Sequence, residues 1–410
     1  MEKKTAAELM AIENKYGAHN YHPLPVVLER GEGVYVWDVD GKKYYDFLSA
    51  YSAVNQGHCH PKIIDTLIEQ SKKLTLTSRA FYNDKLGVYE EFITQYFGYE
   101  KVLPMNTGAE AVETAIKLCR KWAYEIKKVS QNNAQIVVCE NNFHGRTTTI
   151  VSFSVDSDAY NNFGPFTPGF IVIPYNNVDA LAKVLAENPD VAGFLVEPIQ
   201  GEAGAFVPDV GYLKKCAELC RENNVLFMAD EVQTGVARTG KLLACDYEGV
   251  HPDILILGKA LSGGVYPVSA ILSSNQIMNV IQPGQHGSTF GGNPVAAAVA
   301  VSALEVIRDE NLASAAFELG NYFRDEMTKL CASSKVASFV RGKGLLNALI
   351  VNNSDHKNLA WAICLKLAEN GLLAKPTHTN IIRFAPPLVI TREQLEECVD
   401  IITRTIRSFE

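Results

Sequence analysis

Between residues 102 and 274 the sequence alternates short β-branched runs with stretches of helical periodicity, and this alternation constrains the fold more than any other feature. The strand candidates are residues 102–106, 135–139, 149–155, 170–175, 191–197, 225–230, 253–258 and 267–273. Helical patterns over 178–187 and 212–222 lie between them, with Gly, Pro and Asn at the joins. Parallel strands need crossover connections, usually helices, and strands buried on both faces read as continuous apolar runs. The alternation therefore predicts an α/β protein with a mostly parallel sheet flanked by helices, whose ligands bind outside the carboxyl ends of the strands.

The pattern changes after a helix that ends near Glu310. Strand-like 336–340 and 345–351, helical 359–370, strand-like 380–384 and a last helix opening on the Thr391/Gln394 capping box predict a smaller α+β domain over 312–410. Residues 1–50, with Gly31, Gly33 and Gly41 between Tyr- and Val-rich pieces, predict a helix and a small hairpin packed with that smaller domain. The large domain is then 51–311.

Composition narrows the function classes. In 410 residues, 47% are apolar and 20% charged, which supports a large core and excludes disorder for the bulk. Lys and Arg number 38 against 46 Asp and Glu, so the net charge of −8 leaves no basic stripe for nucleic acid. The longest small-and-apolar stretch, 295–307, contains Ser302 and Glu305 and falls short of the ~20 residues of a membrane helix. The first 20 residues contain Glu2, Glu8 and Glu13 and no Arg, unlike a transit peptide. The expected location is the cytoplasm, or the mitochondrial matrix if a presequence has been removed. Nine cysteines without any Cys-x-x-Cys predict reduced, mostly buried thiols rather than a disulfide frame or zinc site, and no metal is expected. Cys216 with Cys220, and the run His58-Cys59-His60, read as packing or loop residues.

Four strand ends carry chemistry. Met105-Asn106-Thr107-Gly108-Ala109-Glu110 follows a strand and opens a helix, with Thr107 and Glu110 as a capping box. The free N–H groups at that start, with Gly108 permitting close backbone approach, suit a phosphate, although an ordinary capped helix would look the same. Glu197, Asp230 and Lys259 each end an apolar strand run. In a sheet of this type these ends can converge on one crevice, bringing together acids, an amine and a phosphate cradle. An amine after Ile254-Leu255-Ile256-Leu257-Gly258 is expected to be poorly solvated and hence nucleophilic toward a carbonyl, although an ordinary strand-end lysine reaching solvent would look the same.

Competing motifs fail on context. Gly235-Val236-Ala237-Arg238-Thr239-Gly240-Lys241-Leu242 imitates a Walker A loop but ends on Leu242, which has no hydroxyl for Mg²⁺. No Gly-x-Gly-x-x-Gly follows a strand, and no Gly-x-Ser-x-Gly elbow occurs.

Cradle, acid and lysine together resemble the class-III, fold-type-I aminotransferases, which use pyridoxal 5'-phosphate. The resemblance spans nearly the whole chain, through 16–23, 51–61, 107–110, 197–204, 229–240, 258–267, 288–294 and 372–388. It implies that Lys259 bonds the cofactor and moves the proton at carbon, and that Asp230 pairs with the pyridinium nitrogen. It places Phe143 on the ring, Gln233 at the phenolic oxygen, and Thr107, Gly108 and Ala109 at the phosphate. Ser288 and Thr289 are implied to reach the phosphate of a neighbouring subunit, so that a homodimer shares its active sites. For substrate, it implies Tyr21 and Arg146 at the α-carboxylate of ornithine, with Tyr51 nearby. Arg383 is implied to take the α-carboxylate of 2-oxoglutarate or glutamate, and Glu202 to pair with Arg383 when ornithine is bound. The implied reaction moves the δ-amino group of L-ornithine to 2-oxoglutarate, with N-acetylornithine or GABA as alternative donors. His144 does not discriminate among these.

Overall fold

The computed structural model describes residues 4–352 and 358–410, so the first three positions of the N-terminal segment and 353–357 of the C-terminal one lie outside the described residues. A seven-stranded sheet dominates, in the spatial order Lys101–Met105, Ser269–Ser273, Ile254–Leu257, Leu226–Asp230, Val191–Val196, Gln135–Cys139, Phe170–Ile173. Ser269–Ser273 runs antiparallel to both its neighbours, and the other pairings are parallel.

Alternation along each strand sends side chains to opposite faces. Ile136 and Val138 pack with Ile116 and Cys119 of the helix Gly108–Trp122. Val137 and Cys139 pack instead with Leu181, Leu213 and Cys216, from the helices Val178–Glu187 and Tyr212–Glu222. The sheet is thus covered on both sides. All nine cysteines are unpaired, and Cys59 alone among them is exposed.

One expected strand is a helix. Residues 149–155 were β-branched enough to predict extension, but Thr147 caps a turn of helix, Thr148–Val151, by accepting from Ile150 N at 3.4 Å. Thr147 also donates to Glu113 at 2.5 Å, and Ile150 is buried in the cluster around Gly108–Trp122. A cap and a tertiary contact outweigh the sub-kcal/mol preference of β-branched residues.

The N-terminal helix Ala6–Tyr16 is followed by a three-stranded meander, Leu28–Glu32, Tyr35–Asp38 and Lys43–Asp46, rather than by one hairpin. The short strand Leu372–Leu373 adds in parallel to Lys43–Asp46. A third sheet, in the order Ala337–Lys343, Leu346–Val351, Ile381–Phe384, Lys375–Thr377, is antiparallel throughout. The Walker-like segment serves as internal scaffolding. Arg238 is fully buried, donating to Asn55 Oδ1 at 3.0 Å and to the carbonyls of Leu345 and Pro386 at 3.0 and 2.7 Å. Burial pulls its pKa down to about 9, and the charge of Asp46 opposes the fall.

Candidate active site

The expected strand ends converge. One cavity, at the carboxyl end of the large sheet, is lined by Gly108, Ala109, Phe143, His144, Glu197, Asp230, Val232, Gln233 and Lys259, among others. Thr107 caps the helix Gly108–Trp122, and Glu110 accepts from the backbone of both Asn106 and Thr107, at 3.0 and 2.8 Å. The box engages the N–H groups of Asn106, Thr107 and Glu110, while those of Gly108 and Ala109, which line the cavity, have no acceptor within the helix. A Cβ on Gly108 would lie 2.9 Å from Val232 Cγ1, so the close approach of these two loops calls for glycine.

Asp230, 6% exposed, ends its strand with both oxygens engaged: Oδ1 accepts from Val232 N at 3.0 Å, and Oδ2 meets His144 Nδ1 at 2.7 Å. Burial disfavours the charged imidazole of His144, but the hydrogen bond and charge of Asp230 outweigh it and raise the pKa. His144 Nε2 is buried without a hydrogen-bond partner. Glu197 accepts from Phe143 N at 2.8 Å and from Gly201 N at 3.4 Å. Burial pushes its carboxyl up to about 7; Asp230 adds to the rise, while His144 and the two N–H groups oppose it.

Lys259 follows Gly258 and opens a short 3₁₀ turn, Lys259–Ser262, with φ at +47°. A non-glycine residue there costs about 1–3 kcal/mol of local strain. No hydrogen bond or ion pair engages its amine among the described residues. Burial is the main cause holding its pKa below the usual lysine value; Arg383 adds to this, and Glu202, Asp230 and Glu197 oppose it. The result is a neutral-prone amine beside a carboxylate–imidazole pair.

At the rim, Arg383 is 5% exposed and donates to Glu202 Oε1 at 2.6 Å. Burial alone would raise the Glu202 pKa, but the guanidinium's charge and hydrogen bond lower it on balance. Gln233 reaches Glu202 and the carbonyl of Tyr51 at 3.4 Å each. Tyr51 sits in a left-handed turn, with φ values between +46° and +73° from Ser49 to Ser52, and its ring lies 4.9 Å from the Arg383 guanidinium. Gly201 is required next to Glu202, because a Cβ would fall 1.3 Å from Gln233 Oε1.

The remaining expected residues are more open. Phe143 is 37% exposed and carries the Arg146 guanidinium 5.7 Å from its ring, while Tyr21 is 73% exposed. Ser288 accepts from the chain's own Asn106 at 2.9 Å, and Thr289 faces outward. Sequence reasoning missed the Asp230–His144 contact, the placement of Val232, and Lys375, which stands opposite Arg383 in the third sheet. Phe143-His144-Gly145 follows the strand Gln135–Cys139, so strand-end position was a usable signal for His144. Nothing in the spacing singled out Lys375.

The donor set fits pyridoxal phosphate. A free buried amine can meet an aldehyde, an engaged carboxylate can meet a pyridinium nitrogen, and the unpartnered N–H groups of a helix start can meet a phosphate.

Comparison with known proteins agrees. The aminotransferase class-III family profile matches residues 16–406. A Drosophila melanogaster protein named "Ornithine aminotransferase, mitochondrial" is 63% identical over 97% of this chain and 91% of its own length. A solved ornithine aminotransferase from Toxoplasma gondii, described with partial occupancy of PLP at its active site, superimposes with a TM-score of 0.97 at 50% identity, covering 99% and 95% of the two chains. A structure described as acetylornithine aminotransferase from Elizabethkingia anophelis gives 0.91 at 62% identity, covering 99% and 100%. The chain belongs to the aminotransferase class-III family.

Proposed function

We propose that the chain transfers the δ-amino group of L-ornithine to 2-oxoglutarate, giving glutamate 5-semialdehyde and glutamate, with pyridoxal 5'-phosphate as cofactor. The observation that carries this reading is the Glu202–Arg383 pair at 2.6 Å beside the unengaged Lys259 amine. An enzyme that accepts one substrate at its terminal amine and another at its α-amine needs a carboxylate receptor that can be closed and opened. The high identity to proteins named ornithine aminotransferase supports the same substrate.

Bound pyridoxal phosphate supplies an aldehyde that takes up the amino group and a ring that accepts the electron pair of the carbon losing its proton. The chain's residues do the rest. Gly108 and Ala109 would hold the phosphate through their N–H groups, beside the Thr107 cap. Phe143 would cover the ring, Gln233 would hold the phenolic oxygen, and Asp230, held by His144, would keep a proton on the pyridine nitrogen. The Lys259 amine would anchor the cofactor and carry the proton between the two carbons. With ornithine, Glu202 occupies Arg383, so the α-carboxylate goes to Tyr21 and Arg146, with Tyr51 closing the side. With 2-oxoglutarate, Arg383 turns to the incoming α-carboxylate.

A homodimer belongs to the same reading, each chain lending Ser288 and Thr289 to its partner's phosphate site. In support, the helix Ala6–Tyr16 buries none of its residues, and Phe81, Tyr82 and Phe290 are 73%, 105% and 50% exposed, an apolar surface suited to a second copy. The working units are the segment 1–50, the cofactor-holding 51–311 and the smaller 312–410. Among the described residues no helix is long and apolar enough to cross a membrane, and several relatives are named mitochondrial, which supports an aqueous compartment, cytoplasm or matrix.

Initial rates with ornithine, N-acetylornithine and GABA test the substrate. Ornithine should exceed both in kcat/KM, and a preference for N-acetylornithine would overturn the reading. Mixing Lys259→Ala with Thr289→Ala chains tests the shared site: one well-formed site per heterodimer should restore activity, and full activity of a dilute monomer would count against it.

A further inference from the structure

Releasing Arg383 from Glu202 creates a problem that the two residues alone leave unsolved. Once a substrate carboxylate takes the guanidinium, Glu202 is left without its cation and beside a second negative charge. A half-buried carboxylate in that position opposes the very ligand the site must admit. Something has to receive it.

The third sheet supplies a candidate. Lys375–Thr377 pairs antiparallel with Ile381–Phe384, and Lys375 stands directly opposite Arg383. Residues opposed in this way project to the same face, where two cations repel unless an anion lies between them. Glu202, bonded to Arg383 and close enough for its charge to act on Lys375, is the anion at hand. Thr377, two residues along and hence on the same face, donates to the Glu202 carbonyl at 3.2 Å. The Lys375 amine lies 5.9 Å from the Tyr21 ring, and no hydrogen bond or ion pair engages it among the described residues. Burial is the main cause lowering its pKa; Arg383 adds to the fall, and Glu202 opposes it.

The other nearby cations are committed. Arg341 donates to the carbonyls of Gly204 and Ala203 at 2.7 and 2.8 Å, and so straps the turn that carries Glu202. Lys259 is required at the cofactor.

We propose that Lys375 is a positioning residue for the amino-acceptor half of the reaction: it receives the Glu202 carboxylate when Arg383 is claimed by a dicarboxylate. Both charge states of the rim are then paired. In the first state Glu202 bonds Arg383, and Lys375 rests against Tyr21. In the second, substrate bonds Arg383, and Glu202 bonds Lys375. Tyr21 loses its neighbouring cation at the step when ornithine has left.

This inference rests on the proposed ornithine-to-2-oxoglutarate reaction and is tested by separating the half-reactions. In Lys375→Met the KM for 2-oxoglutarate should rise about tenfold or more, and the ornithine half-reaction, in which Lys375 only flanks Tyr21, should change by clearly less, because the second state loses an ion pair and the first does not. Lys375→Arg should restore the KM. Binding of glutarate, a dicarboxylate that cannot react, should weaken about as much in Lys375→Met by calorimetry, with Lys375→Gln as a second neutral variant. Unchanged 2-oxoglutarate KM and glutarate binding in both neutral variants would overturn the proposal, and so would equal losses in the two half-reactions. If the unsubstituted enzyme converts no ornithine, the substrate reading fails separately, and glutarate binding still decides the role of Lys375.

Discussion

The floor of the cavity and its rim handle charge in opposite ways. On the floor, Asp230, His144 and Glu197 are each less than a tenth exposed and are held by backbone N–H groups or by one another. At the rim, the Glu202 side chain keeps 28% exposure against 6% for Arg383, and the partners come from different sheets and loops. A dry, cross-braced carboxylate has a fixed job, because moving it would strand several groups at once. A pair with one foot in water can exchange partners at a smaller desolvation cost. Floor residues accordingly suit tuning the cofactor, and rim residues suit choosing the substrate.

The sharpest break should come on the floor. Lys259→Ala removes the only lysine amine lining the cavity among the described residues, so turnover should fall by about 10⁴-fold or more, the upper range for a positioned proton-transfer group that also acts as nucleophile. The folded state should persist, since no hydrogen bond or ion pair engages that amine among the described residues. Loss of the visible absorbance of lysine-bound cofactor, with cofactor still retained, checks this; an unchanged spectrum sinks it. Asp230→Ala should follow at about 10²–10⁴-fold, read as the single-turnover rate of proton abstraction, because the ring nitrogen then has no carboxylate to accept its N–H and keep it protonated. It also leaves His144 buried with neither ring nitrogen engaged. Near-normal abstraction would remove Asp230 from the mechanism.

Legibility in the sequence follows the same division. The floor was readable because it is built from strand ends: Glu197, Asp230 and Lys259 each close an apolar run, and the Thr107–Glu110 box announces a helix start from four residues of sequence. The rim was readable only through family resemblance. Glu202 and Arg383 are 181 residues apart and meet because Arg341 and Thr377 strap one turn onto another sheet. No local pattern encodes such a contact. The left-handed turn at Ser49–Ser52 escaped notice for a related reason, since nothing in Ser-Ala-Tyr-Ser favours positive φ and tertiary contacts must impose it. The misread helix at Thr148–Val151 shows the converse, a local β preference overruled by one cap and one buried isoleucine.

At the rim the expected effect is redistribution rather than loss. Glu202→Ala leaves Arg383 buried and free to take any carboxylate, including that of ornithine. Breaking a fully buried pair costs about 3–5 kcal/mol, and the partial exposure of Glu202 reduces this, so a shift of roughly 10- to 100-fold in orientation is expected. Transfer from the δ-amine should fall, α-transfer product should appear from ornithine, and the glutamate half-reaction should be spared or improved. Equal slowing of both halves without α-transfer product would show that Glu202 does not set orientation.

A last effect, without consequence for rate, separates floor from rim by stability. Glu197 titrates near 7 in the folded chain and near 4.5 when exposed, so between these values the folded state binds more protons than the unfolded one. Its contribution is therefore present in full below about pH 4.5 and is lost as pH rises through about 7, by up to about 3 kcal/mol. Glu202 has the opposite sign: its lowered pKa contributes stability above the usual carboxylate range, which is lost as pH falls. Glu197→Gln keeps the shape and cannot ionise, so its stability relative to the parent should improve steadily from pH 5 to pH 8, measured by denaturant unfolding of cofactor-free protein. Glu202→Gln should show no such improvement over that range. A Glu197→Gln difference that stays flat with pH would mean that the buried carboxyl remains ionised throughout, and that the two N–H groups of Phe143 and Gly201 outweigh its burial.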